Sequence, residues 1–205
     1  MPRMTQHDGA HRGRCRSHLL LSVIAPSWMA LTMFGFVRLT DYQMHPGKQL
    51  QAPGRIDGSL TAVARLYVFV LPQCPCSEAT LSELERIQAR TATKLAITIF
   101  EEYPVGHESD WLATPLVRRA KANAGWQTVP DPGGLEAKRF GASTSGFVIL
   151  WDPAGNKAFQ GGITPSRGHE GDNAGSDAIE TFVLSGRSIL KSTPVYGCSL
   201  GELGK

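Results

Sequence analysis

Apolar positions along this chain fall into three kinds of pattern. The first is an unbroken run: residues 18–37 read HLLLSVIAPSWMALTMFGFV, with no Asp, Glu, Lys or Arg. Those twenty residues, at about 1.5 Å each in a helix, match the roughly 30 Å of a hydrocarbon layer. The second is the short block rich in strand formers, seen at 66–71 (LYVFVL), 95–100 (LAITIF) and 147–151 (FVILW). A turn at Asp152-Pro153-Ala154-Gly155-Asn156 follows the last block, so 157–161 folds back as its antiparallel partner. The third is helical spacing. Leu81, Leu84 and Ile87, with Gln88, form one stripe of 77–90, while Glu78, Glu83, Glu85 and Arg86 fall mostly off it. Residues 111–123 read as a helix with Thr114-Pro115 in its first turns, and 176–184 as a last helix with Asp172 or Asn173 near its start.

The flanks of the long run assign it. Arg3, Arg12, Arg14 and Arg16 precede it, and only Arg38 follows before Asp41, so the positive-inside bias keeps the amino terminus cytoplasmic and exports the rest. A cleavable signal peptide has a shorter apolar region and a small-x-small cleavage site, and no A-x-A follows Val37. A buried helix of a soluble protein would show an amphipathic period, and none is seen. Cys15 lies before the run, so it is not a lipobox cysteine and reads as an incidental juxtamembrane thiol. The chain then divides into a basic cytoplasmic tail (1–17), a transmembrane anchor (18–38), a spacer and lead-in (39–64, with Pro46, Gly47, Pro53, Gly54 and Gly58) and a folded domain (65–205). Four tail arginines against Asp8 account for the whole formal net charge of +3. The remainder is balanced and has no Lys/Arg run, which excludes a nucleic-acid partner. The lipid bilayer is the partner of the apolar run.

A strand, a helix and a second strand make a βαβ unit with parallel strands; a helix, a hairpin and a final helix follow. The order βα βα ββα is that of the thioredoxin fold: an α/β domain with a mixed four-stranded sheet flanked by helices, here with one N-terminal transmembrane helix. In that topology the loops at 72–76, 101–110, 143–146 and 163–173 gather at one edge, where a site is expected.

Four cysteines are too few for a disulfide scaffold, so they are read for chemistry. Cys74-Pro75-Cys76 stands at that edge. With Cys74 as N-cap, Pro75 takes the first helical position, and the helix dipole favours a Cys74 thiolate suited to disulfide exchange. A competing register makes Ser77 the N-cap. A Cys74–Cys76 bridge is within reach but strained. Cys198, on a chain segment long enough to return to this edge, is a second resolving thiol, a third metal ligand or a tail thiol without partner. His169, in Arg167-Gly168-His169-Glu170-Gly171-Asp172-Asn173, is an auxiliary base or ligand, or part of a loop that caps the last helix. His107 is a weaker candidate, and Trp111, Trp126 and Trp151 read as packing residues.

The strand, turn and helix around Cys74 resemble the active-site segment of thioredoxin-like proteins, with C-x-C in place of C-x-x-C. Through PQCPCS (72–77), GGIT (161–164), RGHEGDNAG (167–175) and TPVYGC (193–198), the stretch 66–200 resembles the RedB-type, membrane-anchored subgroup of that superfamily. The resemblance implies a redox role without a cofactor and without a defined substrate. Ser143-Thr144-Ser145-Gly146 occupies the place of the family's cis-proline loop, which normally holds the mixed-disulfide partner and keeps metal off the thiols; its loss leaves both exchange and metal binding open. Two functions follow. In one, an oxidoreductase of the inner membrane faces the periplasm and acts on exported protein thiols or disulfides, Cys74 attacking and Cys76 resolving. In the other, a metallochaperone carries Cu(I) copper on Cys74, Cys76 and His169. A peroxidase of this fold would carry Thr where Leu71 stands.

Overall fold

A computed structural model describes residues 9–56 and 61–201, with backbone alone for 9–21. It divides the chain into two units, 1–42 and 43–205. Parts of the expected tail (1–8), of the lead-in (57–60) and of the terminus (202–205) lie outside the described residues.

Helix α1 (Gly9–Met44) forms the first unit almost alone. Its stretch Ser22–Met44 is long and apolar enough to cross a membrane, at about 34 Å. Three hydroxyls within it are satisfied locally. Ser27 Oγ donates to Val23 O, Thr32 Oγ1 to Met29 O, and Thr40 Oγ1 to Phe36 O, at 2.8–2.9 Å. Each hydroxyl is thereby satisfied by the helix's own backbone, the requirement hydrocarbon imposes. The helix runs past Val37 to Met44, further than the apolar run, because Thr40-Asp41-Tyr42-Gln43 contains no breaker and the first proline after it is Pro46.

The second unit is a mixed sheet of five strands, not four. The strands are β1 (Ala64–Val70), β2 (Leu95–Tyr103), β3 (Trp126–Pro132), β4 (Phe147–Trp151) and β5 (Lys157–Gly161), in the order β3-β2-β1-β4-β5. β1, β2 and β3 are mutually parallel; β4 is antiparallel to β1 and to β5. The unforeseen strand is β3, WQTVPDP, which pairs on one side only. Two prolines demote such a stretch in a sequence reading, yet an edge strand tolerates them because its outer face needs no ladder bond.

The β1 side chains alternate between two cores. Leu66, Val68 and Val70 face α2 (Pro75–Thr91), α4 (Pro115–Ala122) and α6 (Ala174–Ser185), meeting Leu81, Leu84, Ile87, Leu116, Val117 and Ile179. Tyr67 and Phe69, and Leu71 just after the strand, face the other side, where Phe100, Phe140, Phe147 and Trp151 gather. Phe69 and Phe100 stack at 4.9 Å between centroids, and Tyr67 meets Phe140 edge-on at 5.4 Å. The short helix α5 (Leu135–Arg139) adds Ala137 to this second core.

The expected helix over 111–123 is two helices, α3 (Glu108–Trp111) and α4. Pro115 forces extended backbone on Thr114, and Thr114 Oγ1 then accepts from Val117 N at 3.3 Å as the cap of α4. The lead-in is bonded to the domain instead of trailing free. Gly47 N donates to Val195 O, Ala52 N to Gln160 Oε1, and Lys157 Nζ to Ala52 O, all within 3.0 Å.

Candidate functional site

Leu71 ends β1 and the chain turns at once into α2, with Cys74 N donating to Leu71 O at 2.9 Å. Cys74 is the N-cap in extended backbone and Pro75 follows at the first helical position. The register with Ser77 as cap is excluded: Ser77 is fully buried inside the first turn, and its Oγ accepts from Leu71 N at 3.2 Å. No side chain caps the helix, so the positive end of its dipole lies open at Cys74.

Cys74 is joined in a disulfide to Cys198, across 124 residues and with 6.5 Å between alpha carbons. Cys198 is thus neither a tail thiol nor the partner of Cys76, and the strained Cys74–Cys76 bridge is not the one formed. Cys76 is a free thiol, buried on the same side. The Sγ atoms of Cys74, Cys76 and Cys198 all lie within 4.8 Å of one another.

The return of Cys198 is built step by step. After α6 the chain runs beside β5: Gln160 N donates to Lys191 O, Thr193 N to Gln160 O, and Thr193 Oγ1 to Gly162 O. The loop 143–146 then clamps the terminus. Ser145 N donates to Cys198 O at 2.8 Å, Cys198 N to Ser145 Oγ at 3.2 Å, and Leu200 N to Ser143 O at 3.0 Å. Ser145 Oγ also donates to Cys74 Sγ at 3.5 Å, so one serine touches both halves of the disulfide. Gly197 permits this approach, since a Cβ there would collide with the carbonyl oxygen of Ser145.

Three of the four loops expected at the edge supply this group, through Cys74, Ser145 and Arg167. Arg167 donates through Nη1 to Gly197 O and hydrogen-bonds the Cys76 thiol. Burial pushes the Cys76 thiol above its ordinary value; the Arg167 charge and hydrogen bond, and the backbone N–H groups of Cys76 and Gly168, oppose that shift. Sequence reasoning passed over Arg167 in favour of His169, although Arg167 is the one Arg or Lys in the loop 163–173. His169 is exposed, its Nδ1 2.9 Å from Arg167 O, and it is not part of the sulfur group. Asn173, not Asp172, caps α6, accepting from Ser176 N at 2.9 Å. His107 precedes the four-residue α3 and supplies no side-chain cap. Trp126 and Trp151 are buried and Trp111 packs against the second core, as expected of packing residues.

The fourth loop begins later than the sequence pattern implied, because β2 continues through Tyr103 and carries two buried carboxyls. Glu102 Oε1 accepts from Gly201 N at 2.7 Å, tying down the end of the terminal segment. Neither carboxylate oxygen of Glu101 has a hydrogen-bond partner among the described residues, and burial pushes this group up to about 7, with Lys121 pulling weakly the other way.

Chemically, a disulfide with a third thiol at hand supports exchange, and the same three sulfurs, once reduced, are a soft-metal donor set. No protein-family model and no curated protein matches the chain. Among solved structures it is similar to an uncharacterized conserved protein from Geobacillus kaustophilus, with TM-score 0.57 and 17% identity over 80% of this chain and 93% of that one. A hypothetical protein from Sinorhizobium meliloti gives TM-score 0.54 and 18% identity over 79% and 97% of the two chains. The exposed lipoprotein thioredoxin Etrx1 from Streptococcus pneumoniae gives TM-score 0.43 and 15% identity over 67% and 98%. At these identities the likeness is one of fold; the thioredoxin-like assignment rests on the strand order β3-β2-β1-β4-β5, with β1 parallel to β2 and antiparallel to β4.

Proposed function

We propose that the chain is a membrane-anchored thiol–disulfide oxidoreductase that acts on exported protein thiols or disulfides at a Cys-Pro-Cys site. The observation that carries this is the sulfur group: a disulfide and a free thiol, all three Sγ atoms within 4.8 Å, beginning at an uncapped helix N-terminus. Cys74 is the thiolate that the helix stabilises, and Cys76 is its resolving neighbour. A persistent disulfide belongs to an oxidising compartment, which agrees with a domain facing the periplasm behind α1 and with a short tail left in the cytoplasm. The motif resemblance to the RedB-type subgroup supports the same activity, which needs no cofactor.

The test is reduction of a protein disulfide such as that of insulin, by full-length chain in detergent with a chemical reductant as electron source. Cys74→Ser should abolish turnover and Cys76→Ser should accumulate mixed disulfides. Undiminished turnover by Cys74→Ser would overturn the proposal.

A non-enzymatic Cu(I) carrier is favoured by one observation, the mutual closeness of three thiol sulfurs. Its donor set is Cys74, Cys76 and Cys198, with His169 outside it. Metal analysis of anaerobically purified, reduced protein separates the two functions: stoichiometric copper without reductase activity selects the carrier.

A further inference from the structure

The two sulfurs of the Cys74–Cys198 disulfide are not equivalent targets. Cys74, the N-cap of α2, is 3% exposed, whereas Cys198 is half-buried on the terminal segment with exposed Ser199 beside it. Exchange proceeds by attack on one sulfur and departure of the other, and the better-stabilised thiolate departs faster. Attack at Cys198 expels Cys74, which leaves into the positive end of α2 and keeps the hydrogen bond from Ser145 Oγ. Attack at Cys74 would expel Cys198, which has no helix terminus behind it. Access and leaving-group stability therefore favour the same sulfur.

We infer that Cys198 is the catalytic sulfur that meets the partner, and that Cys74 is the buried leaving group. This rests on the exchange reading and departs from it in one respect: the partner is met at Cys198, and Cys74 and Cys76 are the thiols that can resolve the mixed disulfide. A partner thiolate attacks Cys198 Sγ; the Cys74–Cys198 bond breaks, a Cys198–partner disulfide forms, and Cys74 departs as thiolate. A second partner thiol then displaces Cys198. The partner leaves with a disulfide, and the chain keeps the two electrons as the Cys74 and Cys198 thiols. Cys76 Sγ, within 4.8 Å of both, provides an escape: its thiolate can attack Cys198 Sγ, expelling a partner that lacks a second thiol and forming Cys76–Cys198 with no net redox change. The clamp of Ser145 on Cys198 holds the terminal segment through these steps, so the mixed disulfide stays in reach of Cys74 and Cys76.

The experiment uses oxidised full-length chain in detergent, with Cys15→Ser to remove the distal thiol and Cys76→Ser to close the escape. Reduced glutathione is the single-thiol probe. After an acid quench and alkylation, peptide mapping locates the glutathione. The expected result is glutathione on Cys198 and an alkylated Cys74, with Cys198 preferred at least about tenfold, the ratio equivalent to about 1.4 kcal/mol of barrier. The chain with native Cys76 should give the same site at lower yield, which keeps the test valid if the Cys76 variant folds poorly. Ser145→Ala should slow the labelling severalfold without moving it. Glutathione on Cys74, or equally on both, overturns the inference and leaves the exchange reading standing. No mixed disulfide at either position, together with no insulin reduction, overturns both.

Discussion

Replacing Glu101 by Gln should flatten the pH dependence of stability. Glu101 follows Ile97 and Ile99 on the β2 face that packs under α2 and α4, is fully buried, and has no hydrogen-bond partner for either carboxylate oxygen among the described residues. Burial moves its pKa from 4.5 to about 7. The folded state therefore holds the proton more tightly than the unfolded chain, and the associated stability is complete below about 4.5 and lost as pH rises through about 7. From about pH 4 to about pH 8 the loss is about 3 kcal/mol, at about 1.4 kcal/mol per pH unit of displacement. An amide at this position carries no charge at any pH. The stability of Glu101→Gln relative to the native chain should thus rise by about that amount between the two pH values, whatever constant cost its own buried amide imposes. Urea unfolding of the full chain in detergent, followed by the fluorescence of buried Trp126 and Trp151, measures the difference directly. Parallel pH profiles, with a change in the difference below about 1 kcal/mol, would refute the assignment of a buried, uncompensated carboxyl to this position.

Two further outcomes follow from the clamp. Gly197→Ala should place a methyl against the Ser145 carbonyl, part Cys198 from Ser145 and leave more free thiol in the oxidised protein; a thiol count in denaturant checks this, and a native count would show that the approach is not needed. Arg167→Met should raise the pH at which Cys76 is alkylated, because burial persists while the opposing charge is gone; an unmoved midpoint in the Cys74→Ser/Cys198→Ser background would remove Arg167 from the site.

The elements that carry their own signal were legible in the sequence. The stripe of Leu81, Leu84 and Ile87 is buried on α2, Cys74 begins that helix, and the hairpin of β4 and β5 lies where its turn residues put it. The pairing of Cys74 with Cys198 was not legible, since local spacing brings Cys76 equally near and only the path along β5 decides. Arg167 escaped for a related reason: a cation in a polar loop gives no sign of the buried thiol it faces. β3 escaped because its two prolines argue against a strand unless its place at the sheet margin is already known.

That margin has a consequence for crowding. An unprotected sheet border offers free N–H and C=O groups to another copy's strand and so templates association. At one border of this sheet, Pro130 and Pro132 have no N–H to offer. At the other, Gln160 of β5 already exchanges backbone hydrogen bonds with Lys191 and Thr193. Copies held close together should therefore resist strand-to-strand polymerisation. A partner that docks by extending the sheet finds no free pairing groups at these positions.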